Sequence, residues 1–176
     1  MADDKKDPWL NLLALTTVIF AVCATLATFK GGGYSTRSML SQAQASDQWA
    51  HYQSKSVKGN LYEMAKASTE LQRQALNAGP EVLAAYDQKI ADYGKKVAKY
   101  DQEKEEISKL ATGLEKTRDD AQKHGKFFGI AVIFLQIAIL LSSIAALLKQ
   151  KMVWVLGLVV GVGGVIYFAN GFFLLF

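Results

Sequence analysis

Three runs of this chain carry no charged side chain, and they dominate what it can fold into: Trp9 to Phe29, Phe127 to Leu148 and Met152 to Phe176. Each is about 20 residues or slightly longer, which at ~1.5 Å per residue covers roughly 30 Å of hydrocarbon. Lipid offers no partner to an exposed peptide group, so such runs cross a bilayer as helices that satisfy their own backbone. The expected fold class is an all-α membrane protein with three transmembrane helices and a long antiparallel helical hairpin between the first and second. The first run exceeds the ~7–15-residue apolar core of a cleaved secretory signal, so it reads as a signal anchor.

Punctuation along the chain sets the predicted organisation. Residues 1-8 form an N-terminal tail, 9-29 the first span, 30-36 a hinge around Gly31, Gly32 and Gly33, and 37-124 the extramembrane hairpin. The second span is 127-148, a lysine turn occupies 149-151, and the third span is 152-176. The glycine triplet is no phosphate loop, since no strand precedes it and no Gly-Lys-Ser/Thr follows. Asn77-Ala78-Gly79-Pro80 combines a helix stop with a proline suited to open the next helix.

Within the hairpin, the second arm has a stripe alternating three and four residues: Leu83, Tyr86, Ile90, Tyr93, Val97, Tyr100, Lys104, Ile107, Ala111 and Leu114. That is the spacing of a coiled-coil seam. The first arm has a weaker stripe through Leu40, Ala43, Asp47, Ala50, Ser54, Val57, Leu61, Met64, Ser68 and Leu71. Folded about the turn, Leu71 is expected opposite Tyr86, Met64 opposite Tyr93 and Val57 opposite Tyr100. A two-helix hairpin rich in Ala and Ser buries little apolar area and needs neighbours, either copies of itself or another protein.

All three apolar runs also carry small residues at helical spacing, including Ala14 and Ala21 in the first and Gly157, Gly161, Gly164 and Gly171 in the third. Small faces let helix backbones approach closely, and that packing drives association where lipid supplies no hydrophobic force. These six residues are the expected homo-oligomer interface, with packing inside one subunit as the plainer role for the same face. No Asp, Glu, Lys, Arg or His lies mid-span, which argues against a pump or an ion-coupled transporter. Gln136 and Asn170 are the candidates to line a passive pore or to bond between helices. Lys5, Lys6, Lys149 and Lys151 flank the short connections and favour that side as cytoplasmic, with the hairpin extracytoplasmic, while Lys30, Arg37, Lys123 and Lys126 on the hairpin side argue the other way. Trp9 and Trp154 are expected in the aromatic belt on that side.

Little in the sequence offers chemistry. Basic and acidic residues are mixed through the middle segment, unlike the one-signed stripe that nucleic acid requires. His51, His124 and the single Cys23 assemble neither a metal-ligand spacing nor a nucleophile with its base, so no cofactor, metal or catalytic group is expected. The tyrosine row Tyr86, Tyr93 and Tyr100 fits a helical seam better than a ligand platform.

The stretch from Ser41 to Glu63, containing Asp47, Trp49, Tyr52, Gln53, Lys55 and Lys58, is distinctive. With Leu13 to Thr17, Ala21 to Ala24 and the two C-terminal apolar runs, it resembles a bacterial membrane-protein family catalogued only as domain of unknown function 4337. The resemblance implies an inner-membrane helical protein and brings no activity or ligand. It singles out Asp47, Trp49, Tyr52 and Lys55 as a contact with a second subunit or partner, because a large Trp off the main seam suits an interface. Burial of that Trp against the other arm competes equally. The functional expectation is a non-enzymatic homo-oligomeric scaffold or passive conduit. The alternative is an accessory subunit whose hairpin docks onto another membrane complex.

Overall fold

The structure is a computed structural model that describes residues 8–175. Most of the predicted tail, with Lys5 and Lys6, and the terminal Phe176 lie outside the described residues. Three helices account for nearly everything else: α1, Pro8–Ala75; α2, Pro80–Leu148; and α3, Lys151–Phe173. No strand occurs among the described residues. Each helix contains a segment long and apolar enough to cross a membrane.

The predicted break at Asn77 is where the chain turns. Residues 76–79 leave the helical state, and the carbonyl of Gly79 accepts from the amides of Val82 and Leu83 at 3.1 and 3.2 Å to start α2. Pro80 opens α2, where its missing amide proton costs nothing. The lysine turn is tighter than expected. Lys149 alone takes a left-handed conformation (φ 52°), the amide of Gln150 reaches back to Ala145 O at 3.2 Å, and α3 begins at Lys151. That backward bond closes the C-terminus of α2 as a Schellman turn does.

The glycine hinge predicted over 30-36 is not there. Gly31, Gly32 and Gly33 lie inside α1, and no glycine of the described chain has positive φ. Each mid-helix glycine costs only about 1 kcal/mol relative to alanine, a penalty that packing outweighs. Gly31 supplies such packing, because a β-carbon there would sit 3.1 Å from the Cβ of Phe128.

The chain divides into two compact units. One combines residues up to Leu40 with those from Thr117 onward, and the other is Ser41–Lys116.

In the first unit, three buried clusters tie α1, α2 and α3 together. Trp9, Leu13 and Ala145 pack with Trp154; Phe20 and Ala24 pack with Leu135 and Ala138; Ala27 packs with Phe128 and Ala131. Trp9 and Trp154 meet at 6.2 Å beside Lys151, and Trp154 Nε1 donates to Thr16 Oγ1 at 3.2 Å. The glycine face of α3 is the socket for these large side chains. A β-carbon on Gly161 would overlap the Phe20 ring. One on Gly164 would sit 2.8 Å from Leu135 Cγ, and one on Gly171 2.9 Å from Phe128 Cδ1. Gly157 backs onto Leu141 and the carbonyl of Ala138. The face expected to meet a second copy is therefore filled by the chain's own α1 and α2. Of the six residues assigned to that interface, only Ala14 and Ala21 are exposed.

In the second unit, the contacts Trp49–Glu115, Lys55–Glu103 and Arg73–Asp87 show α1 and α2 running antiparallel. The second arm turns its predicted seam inward: Tyr86, Tyr93, Val97, Tyr100 and Ile107 are half-buried and Ala111 is fully buried. The first arm turns the opposite face from the one expected. Ser41, Ala45, Trp49, Tyr52, Lys55, Gly59, Tyr62 and Thr69 face the second arm, while Val57, Leu61, Met64 and Leu71 are 59%, 61%, 70% and 67% exposed. Axial register is within a few residues of expectation; the rotation about the helix axis is what differs.

The cause is the tyrosine row. Tyr100 needs a small neighbour, and Gly59 gives it one, with a β-carbon there 3.5 Å from that of Tyr100. The Tyr62 ring lies 5.7 Å from the Tyr100 ring, stacked, and 6.0 Å from that of Tyr93. Aromatic pairs at such distances contribute beyond their area, about 0.5–1.5 kcal/mol each. Branched aliphatics in those positions would hold the arms apart.

Candidate functional site

The contact set predicted around Trp49 divides in two. Asp47 is exposed, but Trp49, Tyr52 and Lys55 are committed to the hairpin's own seam. Trp49 Nε1 donates to Glu115 Oε1 at 2.9 Å, and its ring meets Tyr52 edge-on at 5.5 Å. Lys55 Nζ lies 2.8 Å from Glu103 Oε2 and 5.7 Å from the Tyr100 ring centroid. The predicted partner contact is thus corrected: three of its four residues hold one arm to the other. The signal was in the sequence, as Trp49, Tyr52, Lys55, Gly59 and Tyr62 recur every three or four residues.

Charges brace this seam. The hydrogen bond from Lys55 holds the Glu103 carboxyl below its ordinary range and raises Lys55 in turn. Near the turn, Arg73 grips Asp87 through two nitrogens, with Nη2 2.7 Å from Oδ2. That fork lowers Asp87 and raises Arg73. Both pairs cross between arms, and sequence reading missed them because it placed Lys55 and Arg73 off the seam. Long cationic stems covering apolar surface while their heads reach a carboxylate explain how such residues occupy seam positions.

Of the faces left without a partner inside the described chain, two bear on assembly. The first is the outward stripe of the first arm, Ala43, Asp47, Ala50, Ser54, Val57, Leu61, Met64, Ser68 and Leu71, all exposed, with Asp47 its one ionisable member. Four large aliphatic side chains in a heptad row on a helix whose other face is already paired form an apolar strip that water covers poorly. The second is on α2, where Gln136, Leu140, Ser143 and Leu147 are exposed around an open groove also lined by Ile139 and Ile144. Ser143 is satisfied by Ile139 O at 2.9 Å, whereas the Gln136 amide has no bond within the described chain. Gln136 lies near the middle of the second apolar run.

Two other polar residues of the apolar unit, Asn170 and His124, are absorbed by the fold. Asn170, fully buried, accepts from the Leu175 amide at 2.5 Å through Oδ1 and from the Leu174 amide at 2.9 Å through its carbonyl, closing α3. It is a capping residue rather than a pore-lining one. His124 Nδ1 lies 2.7 Å from Gly171 O, and its ring stacks on Tyr34 at 4.6 Å. No group of three His, Cys, Asp or Glu side chains among the described residues could hold a metal ion.

A family model described as Domain of unknown function (DUF4337) matches residues 9–174. No curated protein and no solved structure matches the chain.

Proposed function

The chain belongs to the DUF4337 family, a membership that supplies no activity, and on that premise we propose a non-enzymatic, homo-oligomeric membrane scaffold. The apolar unit spans a bacterial inner membrane as three helices. The charged hairpin stands outside it, on the side away from Lys149 and Lys151. Hairpins of neighbouring copies join through the outward stripe of the first arm.

The observation that carries this reading is that stripe: Val57, Leu61, Met64 and Leu71 exposed at heptad spacing on a helix whose opposite face packs on the other arm. A second copy is the occupant whose shape suits it, because a heptad face can pack against its own kind with knobs-into-holes geometry. Gln136 supports the same reading within the bilayer. An amide both donates and accepts, so two copies of it can satisfy one another across a helix pair, contributing about 0.6–2 kcal/mol. If several copies turn Gln136 and Ser143 toward a common axis, the scaffold is also a passive conduit.

The test is the mass of the protein after gentle extraction, with the wild type compared with a Leu61→Lys, Met64→Lys variant. The expected result is an integer multiple of the 19.3 kDa chain for the wild type and a smaller species for the variant, with helical content unchanged. A wild-type monomer would overturn the reading. A mass accounted for only by a different protein would make the chain an accessory subunit instead.

A further inference from the structure

We propose that the outer end of the first apolar segment carries a binding site for the headgroup of an anionic phospholipid, held between Lys30 and Arg37. The inference rests on reading the apolar runs as membrane spans. Between Asp7 and Asp47 the chain has no carboxylate, and Lys30 and Arg37 are its only charges. They are one heptad apart, so they share a face of α1. Both are exposed, and neither forms an ion pair among the described residues. Lys30 Nζ lies 5.9 Å from the centroid of the Phe172 ring. Asp120, which lines a neighbouring cleft with Arg37, is within 3.8 Å of Lys123.

Between the two cations the helix surface is hollow. A β-carbon on Gly32 or Gly33 would meet nothing within 4 Å, and with Thr28, Phe29, Lys30 and Arg37 they line an open trough of about 630 Å³. The trough is amphipathic along its length. Phe29, 77% exposed, is the last residue of the apolar run, so it lies at the level where acyl chain gives way to headgroup. Lys30 follows it directly, and Arg37 lies about two turns further along the helix. A free phosphate would use only the cationic end, whereas a phospholipid fills both: phosphate between the ammonium and the guanidinium, glycerol over the glycines, acyl chain along Phe29. The glycines that make no hinge here give the ligand access to the helix backbone.

The experiment uses the full chain in detergent micelles and titrates phosphatidylglycerol against phosphatidylcholine, reading bound lipid by native mass spectrometry. Wild type is expected to retain phosphatidylglycerol in preference. A Lys30→Gln, Arg37→Gln variant should lose that preference by on the order of tenfold or more. Gly33→Leu, which keeps both charges and fills the trough, should weaken retention comparably. A Lys149→Gln, Lys151→Gln variant, the same charge change at the other end of the unit, should leave the preference in place. Equal loss from that control would overturn the proposal, since net charge would then account for the binding. So would full retention by Gly33→Leu, or displacement of the lipid by inorganic phosphate at equal concentration. Recovery of the wild-type chain from cells in an alkali-washed membrane fraction checks the underlying reading separately. Its absence there would remove the spans themselves, not merely the site.

Discussion

The two units solve the same packing problem with opposite residues. In the apolar unit, glycines on α3 receive Phe20, Leu135 and Phe128, and the small face is used up within one chain. In the charged unit, tyrosines, a glycine and paired ions hold the arms together, and the larger aliphatic side chains of the first arm are left outside. On the proposed membrane reading, dispersion and close approach decide the first case, because lipid would give apolar groups no reason to hide. Water would surround the second case, so an exposed aliphatic row there is the unusual feature and the one that calls for a partner. A face of small residues is therefore a statement about contact, not about which chain makes it.

That contrast can be broken in graded steps. The largest effect is expected from Gly164→Leu, since a β-carbon there already crowds Leu135 Cγ at 2.8 Å and its backbone nitrogen at 3.1 Å. Overpacking of this kind costs about 1–3 kcal/mol or more. It should lower the midpoint of heat unfolding in detergent while the isolated arms keep their helical signal. An unchanged midpoint would mean that the α3 face is not a filled socket. Trp49→Phe comes next. It keeps the ring and removes the bond to Glu115, and a bond to a charged acceptor contributes about 1.5–3 kcal/mol at most. Partial exposure should bring the loss toward the lower end, read as faster proteolysis between Ser41 and Lys116.

Gln136→Leu sharpens the comparison from the membrane side. It should weaken self-association by about 0.6 kcal/mol per helix pair, seen as a shift in the dilution at which the oligomer dissociates. No shift would leave the hairpin stripe as the sole interface. The smallest effect belongs to acid. Glu103 and Asp87 both titrate below their ordinary range because Lys55 and Arg73 bond to their charged forms. A depressed carboxyl adds stability that is present above the unfolded-state value, about 4, and is lost as pH falls through the lower folded value. The hairpin should thus lose stability below about pH 4, and Glu103→Gln should make that loss shallower.

Much of the architecture was legible because it depends on run length and punctuation. Uncharged runs fix the apolar segments, and Asn77 to Pro80 fixes the turn. The seam of the second arm was legible too, since most of its large residues, the three tyrosines among them, fall on one face. The first arm has two competing faces, one aliphatic and one carrying Trp49, Tyr52, Gly59 and Tyr62. Counting aliphatics chose the wrong one, because it ignores what a tyrosine row needs opposite it. The hinge failed for a related reason. Glycine was read as a local backbone preference, when Gly31 acts through its missing side chain against Phe128. The cross-arm pairs Lys55–Glu103 and Arg73–Asp87 could not be placed until the rotation of the first arm was known.

The socket of Phe20 on Gly161 joins the first apolar segment to one that is made much later along the chain. At ~5–20 residues per second, the ribosome takes on the order of ten seconds to bridge them. During that interval Phe20 is without the glycine socket that receives it, while the arms of the hairpin, close neighbours in sequence, can already zip together from their turn. The arrival of α3 is then the event that locks the apolar unit, and a nascent chain cut before Gly161 is a natural substrate for membrane quality-control proteases.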